Sequence, residues 1–91
     1  MKMAKSNTIS FTVPDDLKLK LDVISKIGLY DSLSEFLRDA IRQLFAQHKE
    51  LRISVAYTLF HQKKIGMGKA AEFIGDSIEE TTKMFKQREF K

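Results

Sequence analysis

The stretch Asn7-Thr-Ile-Ser-Phe-Thr-Val13 alternates polar and apolar residues without a break. In an extended strand this alternation places the three hydroxyl residues, Thr8, Ser10 and Thr12, on one face and the apolar residues on the other. No later stretch has a strand pattern of this quality, so the simplest pairing partner is the same strand of a second copy. The pattern predicts an antiparallel two-stranded ribbon between two chains, whose hydroxyl face fits the major groove of DNA.

Composition limits the classes of function. A chain of 91 residues buries little core alone, which favours an oligomer. The chain has no cysteine, no apolar run that would span a membrane, and a net charge of +4 that permits nucleic-acid binding. Its two histidines lack metal-ligand spacing, and no nucleotide-binding or catalytic motif is visible. We therefore predict a cytoplasmic protein that is not an enzyme, has no cofactor and has no membrane partner.

Two amphipathic helices are predicted after the strand. The first opens at Pro14-Asp-Asp16, because proline suits the first helical position and acidic residues complement the helix dipole. It is predicted to run to about Ile27, and Gly28 is placed to end it in a left-handed conformation. The second is predicted from Leu33 to about His48, with Ser32 as its N-cap. Its wide apolar band indicates burial against a partner chain as well as against the first helix.

Residues 7–47 resemble the ribbon-helix-helix family of DNA-binding proteins (CopG/Arc/MetJ-like). The resemblance rests on the alternating strand, on Val13-Pro-Asp-Asp-Leu17, on the Gly28 turn and on Ser32-Leu-Ser-Glu-Phe-Leu-Arg-Asp-Ala-Ile41. It implies a mostly α fold in which two chains intertwine as a homodimer through one N-terminal strand each. It also implies a transcriptional regulator that binds double-stranded DNA, and we interpret this regulator as a repressor.

The resemblance and the strand pattern together assign roles to individual residues. The residues expected to read base edges are Thr8, Ser10 and Thr12. Those expected at DNA phosphates flank the strand or open the second helix, whose first amides lack internal partners: Lys5, Asn7, Ser32, Leu33 and Ser34. The expected dimer core combines apolar residues of the strand and both helices: Ile9, Phe11, Val13, Leu21, Ile24, Phe36, Leu37, Ile41 and Leu44.

The second half of the chain is predicted to be a helical unit. The expected organisation is a flexible basic arm at 1–6, a dimerisation and DNA-binding domain at 7–48, and the helical unit at 49–91. A helix to about Gln62, a short helix with Phe73 facing inward, a glycine turn and a capped last helix give the outline of a helix-turn-helix. Glu79 and Glu80 open the last helix and repel phosphate, which favours partner binding over base recognition for this half.

This half also resembles the UPF0175 family of small prokaryotic proteins, many of them thought to be antitoxins. The residues that carry the resemblance are Ala56-Tyr57, Leu59-Phe60, Lys64-Ile65, Gly68-Lys-Ala-Ala-Glu72, Ile74-Gly75, Ser77 and Glu80. Two alternatives to a purely DNA-binding role therefore stay open for residues 49–91. They capture a toxin protein, with or without autoregulation, or they assemble dimers into a tetramer.

Overall fold

The structure, a computed structural model, describes residues 7–89. The predicted arm at 1–6, with Lys5, lies outside this range. The described chain forms five helices: α1 (Asp15–Asp22), α2 (Leu33–Gln47), α3 (Lys49–His61), α4 (Met67–Ile74) and α5 (Ile78–Glu89). The chain divides between Arg38 and Asp39 into two compact units, and α2 belongs to both. We call the described residues 7–38 the N-terminal unit and 39–89 the C-terminal unit.

The strand predicted over Asn7–Val13 is not formed, and the predicted ribbon-helix-helix fold, with its two-stranded ribbon between chains, is wrong. Residues 7–14 have no regular secondary structure, and residues 7–89 contain helices but no strand or sheet. The physical reason is that alternation sets the face on which a side chain lies, whereas a strand forms only where its backbone groups pair with a neighbour. The described part of this chain offers no second strand, so the pattern is not converted into a sheet.

Helix α1 is shorter than the sequence predicts. It begins after Pro14 and ends at Asp22 instead of about Ile27. The next residues, Val23-Ile24-Ser25, are weak helix formers, and none of them is buried in a contact that would hold another helical turn. The chain continues as turns to Gly28, which has a φ of +80° and so takes the left-handed conformation predicted for it.

The N-terminal unit has no core of its own in a single chain. None of its described side chains is buried, and several large apolar side chains are largely exposed to solvent. Ile9 is 84% exposed, Leu19 is 70% exposed and Leu29 is 77% exposed. Apolar surface of this extent is unfavourable in water as long as no other molecule covers it.

The C-terminal unit, in contrast, has a compact core between α3, α4 and α5. Its buried side chains are Ile53, Ala56, Ala70, Ala71, Ile74, Thr81 and Phe85. The small alanines let α4 approach α3 closely, and Phe85 of α5 closes the core from the other side. Phe73, which the sequence predicts to face inward, is instead 38% exposed and packs edge-to-face on Phe45.

A three-residue connection fixes α5 to α4. Gly75 has a φ of +94°, and its N–H and that of Asp76 both donate to the Ala71 carbonyl oxygen, at 2.8 and 3.2 Å. Ser77 is the N-cap of α5, because its Oγ accepts a hydrogen bond from the backbone N–H of Glu80 at 3.1 Å. The connection therefore has little freedom to change the direction of α5.

Among residues 7–89, every helix is too short or too polar to cross a lipid bilayer.

Candidate nucleic-acid interface

Six apolar side chains of the N-terminal unit line a groove of about 430 Å³. Its lining comes from the segment 7–13, from α1 and from the start of α2: Ile9, Ser10, Phe11, Val13, Lys18, Leu21, Asp22, Leu33 and Leu37. We call this the N-terminal groove. Lys18 Nζ lies 3.0 Å from Asp22 Oδ2, and this exposed pair contributes only a few tenths of a kcal/mol, about 0.3–0.5. The groove lining is therefore mainly apolar, and its two charged side chains form one ion pair with no net charge.

Only one of the three predicted base-reading residues lines the N-terminal groove. Thr8, Ser10 and Thr12 are all exposed, but Ser10 contributes to the groove lining and the two threonines do not. Asn7, predicted at a phosphate, is also exposed. The segment thus presents two threonine side chains away from the groove, each with a hydroxyl and a methyl group available to a partner.

The start of α2 has the local geometry expected of an anion-binding helix end. Ser32 caps it as predicted, because its Oγ accepts a hydrogen bond from the Glu35 N–H at 3.1 Å. The first intrahelical bond runs from the Phe36 N–H to the Ser32 carbonyl oxygen at 3.2 Å. Helix geometry then leaves the N–H groups of Leu33 and Ser34 free for an outside acceptor. Both residues are exposed.

None of the residues assigned to a dimer core is buried in one chain. Four are exposed, Ile9, Phe11, Ile41 and Leu44, and the remainder are half-buried: Val13, Leu21, Ile24, Phe36 and Leu37. The structure brings Ile9, Phe11, Val13, Leu21 and Leu37 together in the N-terminal groove. The other members of the set lie on the turn after α1 (Ile24) and on α2 (Phe36, Ile41 and Leu44), and they do not line that groove.

Arg52 is an organising residue that sequence reasoning missed. Its guanidinium donates from Nε and Nη2 to the Ile74 carbonyl oxygen at 3.2 and 3.0 Å. Its Nη1 donates to the carbonyl oxygens of Phe45 and Ala46 at 2.7 and 3.0 Å. One side chain therefore satisfies the carbonyl ends of both α2 and α4, which the rigid fork of donors on arginine allows. Sequence offers no signal for it, since an arginine on a helix is usually solvated.

The histidines and acids form no metal centre within residues 7–89, where no cluster of three or more potential ligands occurs. His61 instead belongs to the packing between α3 and α5. Its Nε2 lies 3.3 Å from Glu89 Oε2, and its ring lies 4.3 Å from that of Tyr57, centroid to centroid. An ion pair between Arg88 and Glu50 joins the same two helices.

The C-terminal unit carries a second apolar groove, of about 400 Å³, between α3 and α4. Its lining residues are Val55, Leu59, Ile65, Lys69, Glu72 and Phe73. We call this the α3–α4 groove. The ring of Phe73, which is 38% exposed, borders this groove.

Comparison with known proteins identifies one similar sequence. A UPF0175 protein of Halobacterium salinarum is 32% identical to this chain over 63 residues, which is 69% of this chain and 64% of the relative. The chain thus spans less than two thirds of that relative, and the matched length exceeds residues 49–91. This similarity supports the UPF0175 resemblance predicted from the sequence, and it does not bear on the ribbon-helix-helix resemblance. No protein-family model matches the chain, and no solved structure is significantly similar to it.

Proposed function

We propose that this protein is a transcriptional regulator that binds double-stranded DNA as a homodimer and represses by occupying promoter DNA. The observation that carries the proposal is the division of surface in the N-terminal unit. Six of its apolar side chains line a groove that one chain leaves open, while Thr8 and Thr12 are exposed outside that groove. One surface suits a second copy of the chain, and the other suits the edges of bases.

The homodimer follows from the energetics of the N-terminal unit. Because no described side chain of this unit is buried, folding of one chain recovers little of the free energy available from its apolar residues. A second copy offers the same groove. In a dimer with a two-fold axis each chain would cover the groove of the other, and every contact would therefore occur twice. The formation of this dimer is a prerequisite for the DNA-binding role.

The chemistry of the exposed residues favours DNA as the ligand. Hydroxyl groups donate to and accept from base edges, and the threonine methyl group suits the methyl group of thymine. The capped start of α2 offers the free N–H groups of Leu33 and Ser34 to a phosphate, with the Ser34 hydroxyl beside them. The net charge of +4 favours approach to the DNA polyanion. All of these are binding interactions, and the proposed function includes no catalytic step.

The double substitution Thr8→Ala, Thr12→Ala tests the readout and leaves Ser10, which lines the N-terminal groove, in place. We expect it to lower the preference for DNA from upstream of the protein's own gene over a scrambled duplex by about 10-fold or more. Specific contacts to bases contribute about 1–3 kcal/mol each when they are bidentate, and less for single hydroxyls. The measurement is fluorescence anisotropy of full-length protein at two salt concentrations. The double substitution Ser25→Ala, Thr58→Ala, which removes exposed hydroxyls elsewhere, serves as control. An undiminished preference in the Thr8→Ala, Thr12→Ala variant would contradict the assignment.

One observation favours a second candidate function, an antitoxin whose C-terminal half binds a toxin protein. The α3–α4 groove is lined mainly by apolar side chains, and Phe73 at its border is exposed to solvent. Such a groove suits an apolar segment of a protein partner better than it suits DNA. The two functions are compatible, because one chain can bind DNA through its N-terminal unit and a toxin protein through its C-terminal half.

Co-expression with the product of the adjacent gene separates the two candidates. If the antitoxin role is present, the neighbouring product co-purifies with the full chain, and Phe73→Glu abolishes the co-purification. The matched substitution Leu19→Glu, at an exposed leucine of the N-terminal unit, leaves it intact. Recovery of the neighbour with both variants would place its contact elsewhere, and failure to recover it with wild-type protein would remove this candidate.

A further inference from the structure

We propose that the cleft between the end of α3 and the start of α4 binds a small organic anion with a flat, apolar body. The cleft has a volume of about 550 Å³, which lies in the range of small-molecule sites, about 300–1,000 Å³. Its lining residues are Phe60, His61, Lys63, Lys64, Ile65 and Gly66. We call this the 60–66 cleft. It lies entirely within the C-terminal unit, so the inference goes beyond the DNA-binding proposal and does not depend on it.

The 60–66 cleft has a basic lining. Lys63 and Lys64 are both exposed, and neither forms an ion pair within the part of the chain that the structure describes. The surrounding sequence has the same bias, because residues 51–71 contain four Lys and Arg residues and no Asp or Glu. Glu89, which is not part of the lining, lies 3.3 Å from His61 Nε2 and is thereby engaged. The cleft therefore offers two ammonium groups to an anion.

Lys63 occupies a position at which glycine is the usual residue. Its φ is +61°, and no other non-glycine residue among residues 7–89 has a positive φ. Its N–H donates to the Phe60 carbonyl oxygen at 3.0 Å, and the Lys64 N–H donates to the Leu59 carbonyl oxygen at 2.9 Å, so Lys63 is the left-handed residue that ends α3. The Cβ of a left-handed lysine crowds the following carbonyl oxygen, which costs stability that glycine would not lose. Strained residues of this kind cluster at ligand-binding sites, where the side chain itself is needed.

The apolar side of the cleft is fixed by packing. Phe60 is half-buried, and its ring lies 5.4 Å from that of Phe85, centroid to centroid. Ile65 is half-buried against the same core. The His61 ring packs edge-to-face on Phe60 at 5.6 Å. Because these side chains are already held in place, a ligand that contacts them orders few additional groups, and this lowers the entropic cost of binding.

The combination of two lysines with an apolar surface selects among kinds of ligand. Inorganic phosphate or the backbone of DNA would satisfy the ammonium groups, but neither offers an apolar group to Phe60 and Ile65. A neutral aromatic compound would contact this apolar surface and leave both lysines without an anion. An aromatic phosphate, sulfate or carboxylate uses both parts, with its anionic group at Lys63 and Lys64 and its ring against Phe60 and Ile65. This class of ligand therefore suits the cleft.

Phenyl phosphate is the probe for this site, and phenol and inorganic phosphate are its matched fragments. We expect phenyl phosphate to bind full-length protein with a Kd of about 1 mM and to shift the amide NMR resonances of residues 60–66. Each fragment is expected to bind about 10-fold more weakly, because it uses only part of the site. No binding of phenyl phosphate, or shifts confined to other residues, would overturn the site. Equal affinity for inorganic phosphate would overturn the assignment of an aromatic ligand.

Substitutions at Lys63 separate ligand binding from folding. Lys63→Gly is expected to weaken phenyl phosphate binding about 10-fold and to raise the melting temperature, because glycine lacks the ammonium group and suits the left-handed conformation. Lys63→Arg keeps the charge and is expected to retain most of the binding. Lys83→Gln removes an exposed lysine of α5 outside the cleft and is the control. Undiminished binding by Lys63→Gly, or an equal loss in Lys83→Gln, would overturn the role of Lys63. No DNA is present in these measurements, so their outcome is separate from that of the DNA-binding tests.

Discussion

Replacing Phe85 by alanine is expected to lower the free energy of unfolding of the C-terminal unit by about 3–5 kcal/mol. The Phe85 side chain is only 2% exposed. Its ring packs on Tyr57 at 5.2 Å and on Phe60 at 5.4 Å between centroids. Removal of the ring leaves a cavity between α3 and α5 and deletes both aromatic contacts. A small domain has a total stability of about 5–15 kcal/mol, so the change would remove a large share of it.

Phe73→Ala is the matched control, because it deletes the same side chain from a partly exposed position. Phe73 is 38% exposed and has an edge-to-face contact with Phe45, so we expect a loss of about 1 kcal/mol. Urea unfolding followed by circular dichroism gives both values. Equal losses for the two phenylalanines would show that Phe85 does not close the core of the C-terminal unit.

Local rules of helix chemistry predict where α2 and α5 begin. Ser32 and Ser77 are recognisable as N-caps from sequence, and each Oγ accepts the expected amide hydrogen bond at 3.1 Å. Gly28 is recognisable as a left-handed residue and has a φ of +80°. These features depend on only a few neighbouring residues, so the pattern contains the information needed to place them.

Features that depend on distant contacts are not predicted in the same way. The alternation in Asn7–Val13 is real, but pairing decides whether a strand forms, and the described chain supplies no partner strand. Phe73 and Ile78 are apolar at positions that fit an inward face, yet both are exposed. Helical periodicity defines an apolar sector of some width, and packing against α3 selects which members of that sector are covered.

In the candidate site, too, local features are predicted from the sequence, and features that depend on distant contacts are not. The hydroxyls of Thr8, Ser10 and Thr12 and the capped start of α2 are visible from sequence, because each is a local feature. The position of Ser10 at the N-terminal groove requires the structure, since it depends on how the segment lies against α1 and α2. Arg52 shows the limit most clearly: its hydrogen bonds reach carbonyl groups on two other helices, and no spacing in the sequence predicts them.

Leu21→Glu is expected to convert the proposed dimer into a monomer and to weaken specific DNA binding by about 100- to 10,000-fold. Leu21 lines the N-terminal groove and is half-buried within one chain. In a symmetric dimer the substitution places two carboxylates in the covered apolar surface, and each must be desolvated. Loss of the dimer removes the gain from binding two half-sites together, which is about 10²–10⁴ in affinity.

Leu19→Glu makes the same chemical change two residues earlier on the same helix and is therefore the matched control. Leu19 is 70% exposed and does not line the N-terminal groove, so its replacement leaves the dimer intact if that groove is the interface. Sedimentation velocity gives the mass of each variant, and anisotropy on the upstream DNA gives its affinity.

The milder Leu21→Ala keeps the helix apolar and neutral, and we expect it to raise the dimer dissociation constant without abolishing the dimer. A Leu21→Glu variant that still sediments as a dimer would contradict the groove as interface, and one that loses the dimer yet binds DNA with full preference would show that recognition needs only one chain.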